Sequence, residues 1–135
     1  MKKSNLKIRV YYEDTDCGNV VYYANYLKYM ERGRTEYLRE RNLELETYHQ
    51  QGYIFAVADV NIKYRKSAVY NDLLELETKI MDITSVTLTF ETRFYNQKNE
   101  LLVVGTAKMV CIDAKTGRAC KGPEDMMKIL REENS

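Results

Sequence analysis

Between residues 22 and 41 the apolar side chains return at every third and fourth position: Tyr22, Tyr26, Tyr29 with Met30, Gly33 and Tyr37 share one stripe. That is the spacing of an amphipathic helix, running from residue 22 or 25 to 41. A face carrying so many rings must lie across something large. Gly33 in mid-helix costs about 1 kcal/mol relative to Ala, which implies close approach to a neighbouring backbone. Arg32, Arg34, Glu36, Arg39, Glu40 and Arg41 read as a mostly solvated face. Glu31 and Arg34 stand three apart as a salt bridge would, and Asn42 fits a left-handed stop.

The large partner is supplied by alternating segments. A first strand is expected over residues 6–13. Further on, Ala58, Val60, Ile62 and Tyr64 alternate with Asp59, Asn61, Lys63 and Arg65, as in a strand with one wet face. Leu74, Leu76, Thr78 and Ile80 then oppose Glu75, Glu77 and Lys79, and Val86, Leu88, Phe90 and Phe94 oppose Thr87, Thr89, Glu91 and Arg93. Residues 101–113 are more continuously apolar, as in a central strand or one at a subunit interface. A short helical turn fits residues 44–51, ended by Gly52, and Pro123 at a first helical position starts a terminal helix to about residue 131. Short connections make neighbouring strands antiparallel. The expectation is a single α+β domain over residues 1–135, one helix laid across a curled antiparallel sheet.

At the strand-to-helix junction the chain reads Tyr12-Glu13-Asp14-Thr15-Asp16-Cys17-Gly18-Asn19-Val20-Val21-Tyr22-Tyr23-Ala24-Asn25-Tyr26. The first N–H groups of a helix lack intrahelical acceptors, and the dipole puts partial positive charge there. Such a mouth can hold an oxyanion, and Asp16 lies just upstream. Gly18 lets the backbone fold tightly so that carboxylate and helix mouth face one point. The competing reading of Asp16 is a cap or a plain loop carboxylate. Asp14 reads as a loop acid or supporting partner, Asn19 and Asn25 as turn or cap residues, Asn25 also as a ligand contact.

Composition narrows the function classes. Lys and Arg total 21 against 20 Asp and Glu, so no global field draws the chain to nucleic acid or an anionic membrane. No apolar run is long enough to span a membrane, and Met1-Lys2-Lys3-Ser4-Asn5 lacks the apolar segment of a signal peptide; a cytoplasmic location is expected. The 3 cysteines, Cys17, Cys111 and Cys120, have neither C-x-x-C spacing nor a nearby histidine and read as reduced thiols, not zinc ligands. Cys17 has no base beside it and reads as a small loop residue. The sole histidine, His49, reads as a surface helix residue, which excludes multi-histidine metal centres and any Ser-His-Asp or Cys-His site not built on it.

Over Arg9-Val10-Tyr11-Tyr12-Glu13-Asp14-Thr15-Asp16-Cys17-Gly18-Asn19-Val20-Val21-Tyr22, continuing through Asn25-Tyr26, Glu31, Arg34 and Glu36, the chain resembles the 4-hydroxybenzoyl-CoA thioesterase family of the hotdog fold, in its YbgC-type acyl-CoA thioesterase branch. The resemblance implies a hotdog subunit: a long central helix wrapped by a curled antiparallel sheet of about five strands, with a short C-terminal helix. It implies homodimers sharing one continuous sheet and assembling to homotetramers, with acyl-CoA sites at the subunit boundary. It also implies hydrolysis to free acid and CoA with no cofactor and no metal.

Asp16 occupies the family's catalytic position, as nucleophile or as general base for water. Tyr23 occupies the place whose backbone N–H is expected to meet the thioester carbonyl. It stands where the YbgC-type branch commonly carries histidine and the hydroxybenzoyl branch tyrosine; a main-chain contact would be spared by that change. Phe55, Ala56 and Val57 are expected to flank the acyl or pantetheine arm, and Lys63, Arg65, Lys66, Arg93 and Lys108 are candidates for the CoA phosphates. Two other readings are a non-catalytic acyl-CoA-binding module and a hotdog dehydratase. The dehydratase is disfavoured because the motif lacks the histidine that chemistry favours.

Overall fold

The protein is described by a computed structural model covering residues 2–134. Strand β1 (Lys3–Arg9) leads through a 3₁₀ turn (Tyr12–Asp14) to helix α1 (Asn25–Arg39) and the short helix α2 (Leu45–Gln50). Strands β2 (Tyr53–Tyr64), β3 (Leu73–Ile83), β4 (Thr87–Tyr95) and β5 (Leu101–Asp113) follow, then helix α3 (Glu124–Glu133). All five strands form one antiparallel sheet in the order β1-β3-β4-β5-β2. β1 and β2 are therefore its edges.

Tyr22 precedes α1 and is exposed; from Tyr26 onward the tyrosine stripe packs as its spacing requires. Tyr26, Tyr29, Met30, Gly33, Tyr37 and Leu38 are buried on α1, Tyr37 edge-on to Phe90 at 5.6 Å and Tyr26 edge-on to Phe94 at 5.5 Å. Tyr26, Tyr29, Tyr37 and Phe94 are among the bulkiest fully buried side chains, and rings of this size contribute strongly to burial. A Cβ built on Gly33 would stand 2.7 Å from Thr78 Oγ1, so close approach to β3 is what the glycine permits. Asn42 and Gly52, with φ of 61° and 96°, are the left-handed stops after α1 and α2.

Several boundaries differ from the sequence expectation. β1 ends at Arg9 because Val10 donates to Asp72 O at 2.9 Å and the Tyr11 N–H donates to Asp14 Oδ2 at 2.9 Å, turning the chain. β2 begins five residues before Ala58 (Tyr53 to Ala58). Its register slips between Val57 and Asp59, and the unpaired extra residue is Ala58. Phe55 and Val57 sit opposite Cys111 and Met109, whereas Val60, Ile62 and Tyr64 sit opposite Ala107, Gly105 and Val103. The bulge thus keeps odd residues before it and even residues after it on the helix side. That face is only partly covered by the chain itself: Phe55 and Ile62 pack against the core, while Val57, Val60 and Tyr64 are 49%, 37% and 50% exposed.

The charged face of α1 is also less solvated than expected. Arg41 is folded inward: Nε donates to Glu133 Oε1 at 2.8 Å, Nη1 to Ser4 Oγ and Tyr37 O, each at 2.8 Å, and the guanidinium lies 3.6 Å from the Tyr37 ring centroid. One side chain thereby joins β1, the end of α1 and α3. Glu31 and Arg34 do not form the expected ion pair; Glu31 accepts the Thr35 hydroxyl at 3.0 Å instead. Pro123 takes the N-cap position of α3, one residue before its first helical position.

Gly33→Ala should lower stability by about 1–3 kcal/mol through overpacking, although Ala is the better helix former. In a Thr78→Ala background the same change should be neutral or stabilising. Urea denaturation of the four chains checks this; an equal loss in both backgrounds would place the clash elsewhere.

Candidate active site

The loop between β1 and α1 is held by its own backbone. Asp16 N–H donates to Val20 O at 2.9 Å and Asn19 N–H to Asp16 O at 3.1 Å, while Thr15 and Val21 form an antiparallel bridge. The left-handed residue is Asn19 (φ 63°), not Gly18. Gly18 contributes otherwise: its N–H donates to Asp16 Oδ1 at 2.8 Å, and a Cβ there would press on that oxygen at 3.3 Å. The Asp16 carboxylate is exposed and fixed by this one bond.

Asp14 has a structural role. Its carboxylate accepts the Tyr11 N–H, and its carbonyl accepts the Tyr22 N–H at 2.9 Å and Asn25 Nδ2 at 2.8 Å. The Asn25 side chain therefore ties the loop to the first residue of α1. Burial, then the neighbouring Asp14 carboxylate, hold the Tyr29 phenol protonated far above its ordinary range.

The mouth of α1 carries no acid in its first turn and no side-chain cap, the N-cap being Ala24. Asn25, Tyr26 and Leu27 donate back to Tyr22, Tyr23 and Ala24 carbonyls. Among the described residues no acceptor takes the Tyr23 N–H. The Tyr23 ring is 64% exposed, and its carbonyl accepts the Tyr64 hydroxyl at 3.3 Å, linking the junction to β2. A carboxylate, an uncapped helix end and an unengaged amide are thus gathered on one loop, where an anion or developing oxyanion would be favoured.

Phe55 and Val57 belong to a second grouping. They line a cavity of about 260 Å³ between α1, α2 and the sheet, whereas Ala56, paired with Val110, is not among the lining residues. On α1 the wall is Glu31, Arg34, Thr35 and Leu38, again at three-and-four spacing and beside the tyrosine stripe. Burial lowers the Arg34 pKa, opposed by the nearby Glu31. His49 stands at the rim; nothing in its polar surroundings in sequence distinguished it from a solvated residue. Of the basic candidates, Lys66 pairs with Glu100 at 2.6 Å and Arg93 with Glu91 at 2.9 Å. Lys63, Arg65 and Lys108 are exposed. Among the described residues no three His, Cys, Asp or Glu side chains come together as a metal site, and no helix is long and apolar enough to cross a membrane.

The family model of the thioesterase-like superfamily matches residues 10–130. The chain is 43% identical over 108 residues to the acyl-CoA thioesterase YbgC of Haemophilus influenzae, covering 78% of each. It is 38% identical over 106 residues to the acyl-CoA thioester hydrolase YbgC of Escherichia coli O6:H1, covering 78% of this chain and 79% of that one. In fold it is similar to a DHNA-CoA thioesterase from Staphylococcus aureus, with a TM-score of 0.96 over 99% of this chain and 92% of that one at 24% identity. The expected hotdog architecture, long helix, curled five-stranded sheet and short terminal helix, is the one observed.

The three thiols are free, Cys17 exposed and Cys111 buried. Cys111 Sγ lies 3.6 Å from Cys120 Sγ; burial, then that neighbour, push its thiol up to about 12. Near neutral pH, iodoacetamide should therefore label Cys17 at least roughly tenfold faster than Cys111. Peptide mass spectrometry of the native protein checks this, and equal rates would show that Cys111 is open to solvent.

Proposed function

Since the chain belongs to the thioesterase-like superfamily, we propose that it is an acyl-CoA thioester hydrolase releasing free acid and CoA, with Asp16 as its catalytic carboxylate. The observation that carries this reading is the junction of Asp16 with the uncapped start of α1, supported by the activities named for its relatives. A thioester carbonyl aimed at the Tyr23 N–H would meet the positive end of the helix as charge develops on oxygen. One such donor is worth roughly 3–4 kcal/mol in the transition state at comparable sites. Gly18, by holding Asp16 Oδ1, positions the carboxylate, and Asn25 anchors the loop on which both stand.

Two routes lead onward. Asp16 attacks the carbonyl carbon, the C–S bond breaks, CoA leaves as thiolate, and water cleaves the resulting anhydride; or Asp16 takes a proton from water, which attacks instead. Unlabelled acid with label in Asp16 after a single turnover in ¹⁸O-water identifies the first route with water cleaving the anhydride at the Asp16 carbonyl, since the second route always puts the label in the acid and never in Asp16.

The active unit in this reading is a homodimer, further paired to a homotetramer, in the cytoplasm. Support comes from β2: it is a sheet edge with Ile54, Val57, Val60 and Tyr64 exposed. A long apolar edge of this kind is stabilised by pairing with another strand. A second copy would extend the sheet across it and complete a site open on one side in the single chain. An acyl-CoA-binding module without catalysis would share the fold and differ in the first assay.

Asp16→Asn should keep the melting temperature and lower kcat by about 10²- to 10⁴-fold, whereas Tyr23→Phe should retain most activity because its contact is main-chain. Thiol release measures both; turnover of Asp16→Asn comparable to the parent chain would refute the assignment. Sedimentation velocity should find a dimer or larger species, with activity falling on dilution into monomer; a fully active monomer would contradict the shared site.

A further inference from the structure

Two of the three thiols have no part in the site described above, and they meet where β5 leaves the sheet. Beyond Asp113 the chain turns back on itself. Asp113 Oδ1 accepts the Lys115 N–H at 2.8 Å, Gly117 is left-handed with φ of 72°, and Asp113 N–H donates to Arg118 O at 2.8 Å. Ile112 and Ala119 then bridge antiparallel, and Cys120 N–H donates to Cys111 O at 2.9 Å. Cys111 and Cys120 are thereby set opposite one another. Hydrogen-bonded residues facing each other in antiparallel strands have Cα atoms about 5.5 Å apart, within the span of a disulfide.

The side chains agree with the backbone. Their sulfurs are in contact at 3.6 Å, and bonding requires approach to about 2 Å, a side-chain movement that leaves the hairpin in place. Exposure divides their roles: Cys120 is half-buried and Cys111 fully buried, so a dissolved oxidant meets Cys120 first. Cys111 is held from both sides, paired with Phe55 of β2 and donating its N–H to Val86 O at 2.9 Å. Beyond Cys120 the Gly122 N–H donates to Ser85 O at 2.9 Å and the chain enters α3, whose Met126, Met127 and Leu130 are buried. A bond between the sulfurs would fasten the approach to α3 onto β5.

We propose that Cys111 and Cys120 form a reversible redox modification site, which a small aliphatic disulfide converts to an intramolecular disulfide closing the hairpin 111–120. The Cys120 thiolate attacks one sulfur of the oxidant and displaces a thiolate, leaving a mixed disulfide. The Cys111 sulfur then attacks the Cys120 sulfur and displaces the second thiolate. Each departing thiolate takes up one cysteine proton, so two cysteines are oxidised and the oxidant is reduced to two thiols. The site is separate from the thioester chemistry, and its test does not depend on activity.

The probe is oxidised glutathione at set ratios to reduced glutathione, applied to Cys17→Ser, which lacks the exposed competing thiol. Peptide mass spectrometry should find Cys111 joined to Cys120 and the bond removed by dithiothreitol. A bond that fits the fold is favoured by it, so closure should be at least roughly tenfold more favourable in buffer than in denaturing urea. By the same cycle the oxidised chain should melt roughly 5 °C or more above the reduced one. In Cys111→Ala the glutathione adduct should persist on Cys120, whereas in Cys120→Ser neither a linked peptide nor an adduct on buried Cys111 should form. Should Cys111→Ala fail to fold by circular dichroism, Cys120→Ser and the comparison with urea still decide. Closure no more favourable in the native protein than in urea would reveal a thiol–thiol contact only and overturn the proposal. An adduct that persists on Cys120 even with Cys111 present would overturn it equally.

Discussion

The height at which α1 rides over the sheet is fixed by backbone meeting side chain at Gly33 and Thr78. Met30 reinforces it over β5, where a Cβ on Gly105 would stand 2.6 Å from the Met30 sulfur. With these two missing side chains the helix sinks until its tyrosines bury against Phe90 and Phe94. Tight packing of this kind tolerates little adjustment. The axis of α1 is thereby fixed, and with it the direction in which its first amides point.

Two faces of one helix then serve two ends. The tyrosine stripe goes to the sheet, while Glu31, Arg34, Thr35 and Leu38 line the cavity. The N-terminus, left without an acid or a cap, meets a loop closed on itself through Asp16, Gly18 and Asn19. At the other end Arg41 fastens the helix to β1 and α3. The end at which catalysis is proposed is the one without fastenings of its own charge, so the positive end of its dipole is left uncompensated by the chain's own acids.

What could be read from the chain beforehand followed from periodicity. The helix, β3 to β5 and the left-handed stop at Asn42 were legible because one residue type, repeated at a fixed interval, answers to one surface. The start of β2 was not, since a bulge interrupts alternation at Ala58. Arg41 misled because a guanidinium counts as polar in any pattern yet here stacks on Tyr37. For the candidate site, the position of Asp16 just ahead of the helix mouth could be read from the strand-to-helix hand-over, but the place of Gly18 in the loop could not: the left-handed residue is Asn19, and the glycine offers its amide to Asp16 instead. His49 and the cavity arise only from tertiary juxtaposition of α2 with β2, for which a local pattern carries no signal.

The extra residue in β2 has a further implication for how such a strand can change. Residues on either side of Ala58 obey opposite odd-even rules, so the two halves are separate reading frames sharing one backbone. Deleting that single alanine would leave a perfectly regular strand while turning either Phe55 with Val57 or Val60 with Ile62 to the wrong side of the sheet. Length in this strand is therefore constrained more tightly than composition, and an insertion or deletion there would be felt at the mouth of the cavity and along the free edge at once.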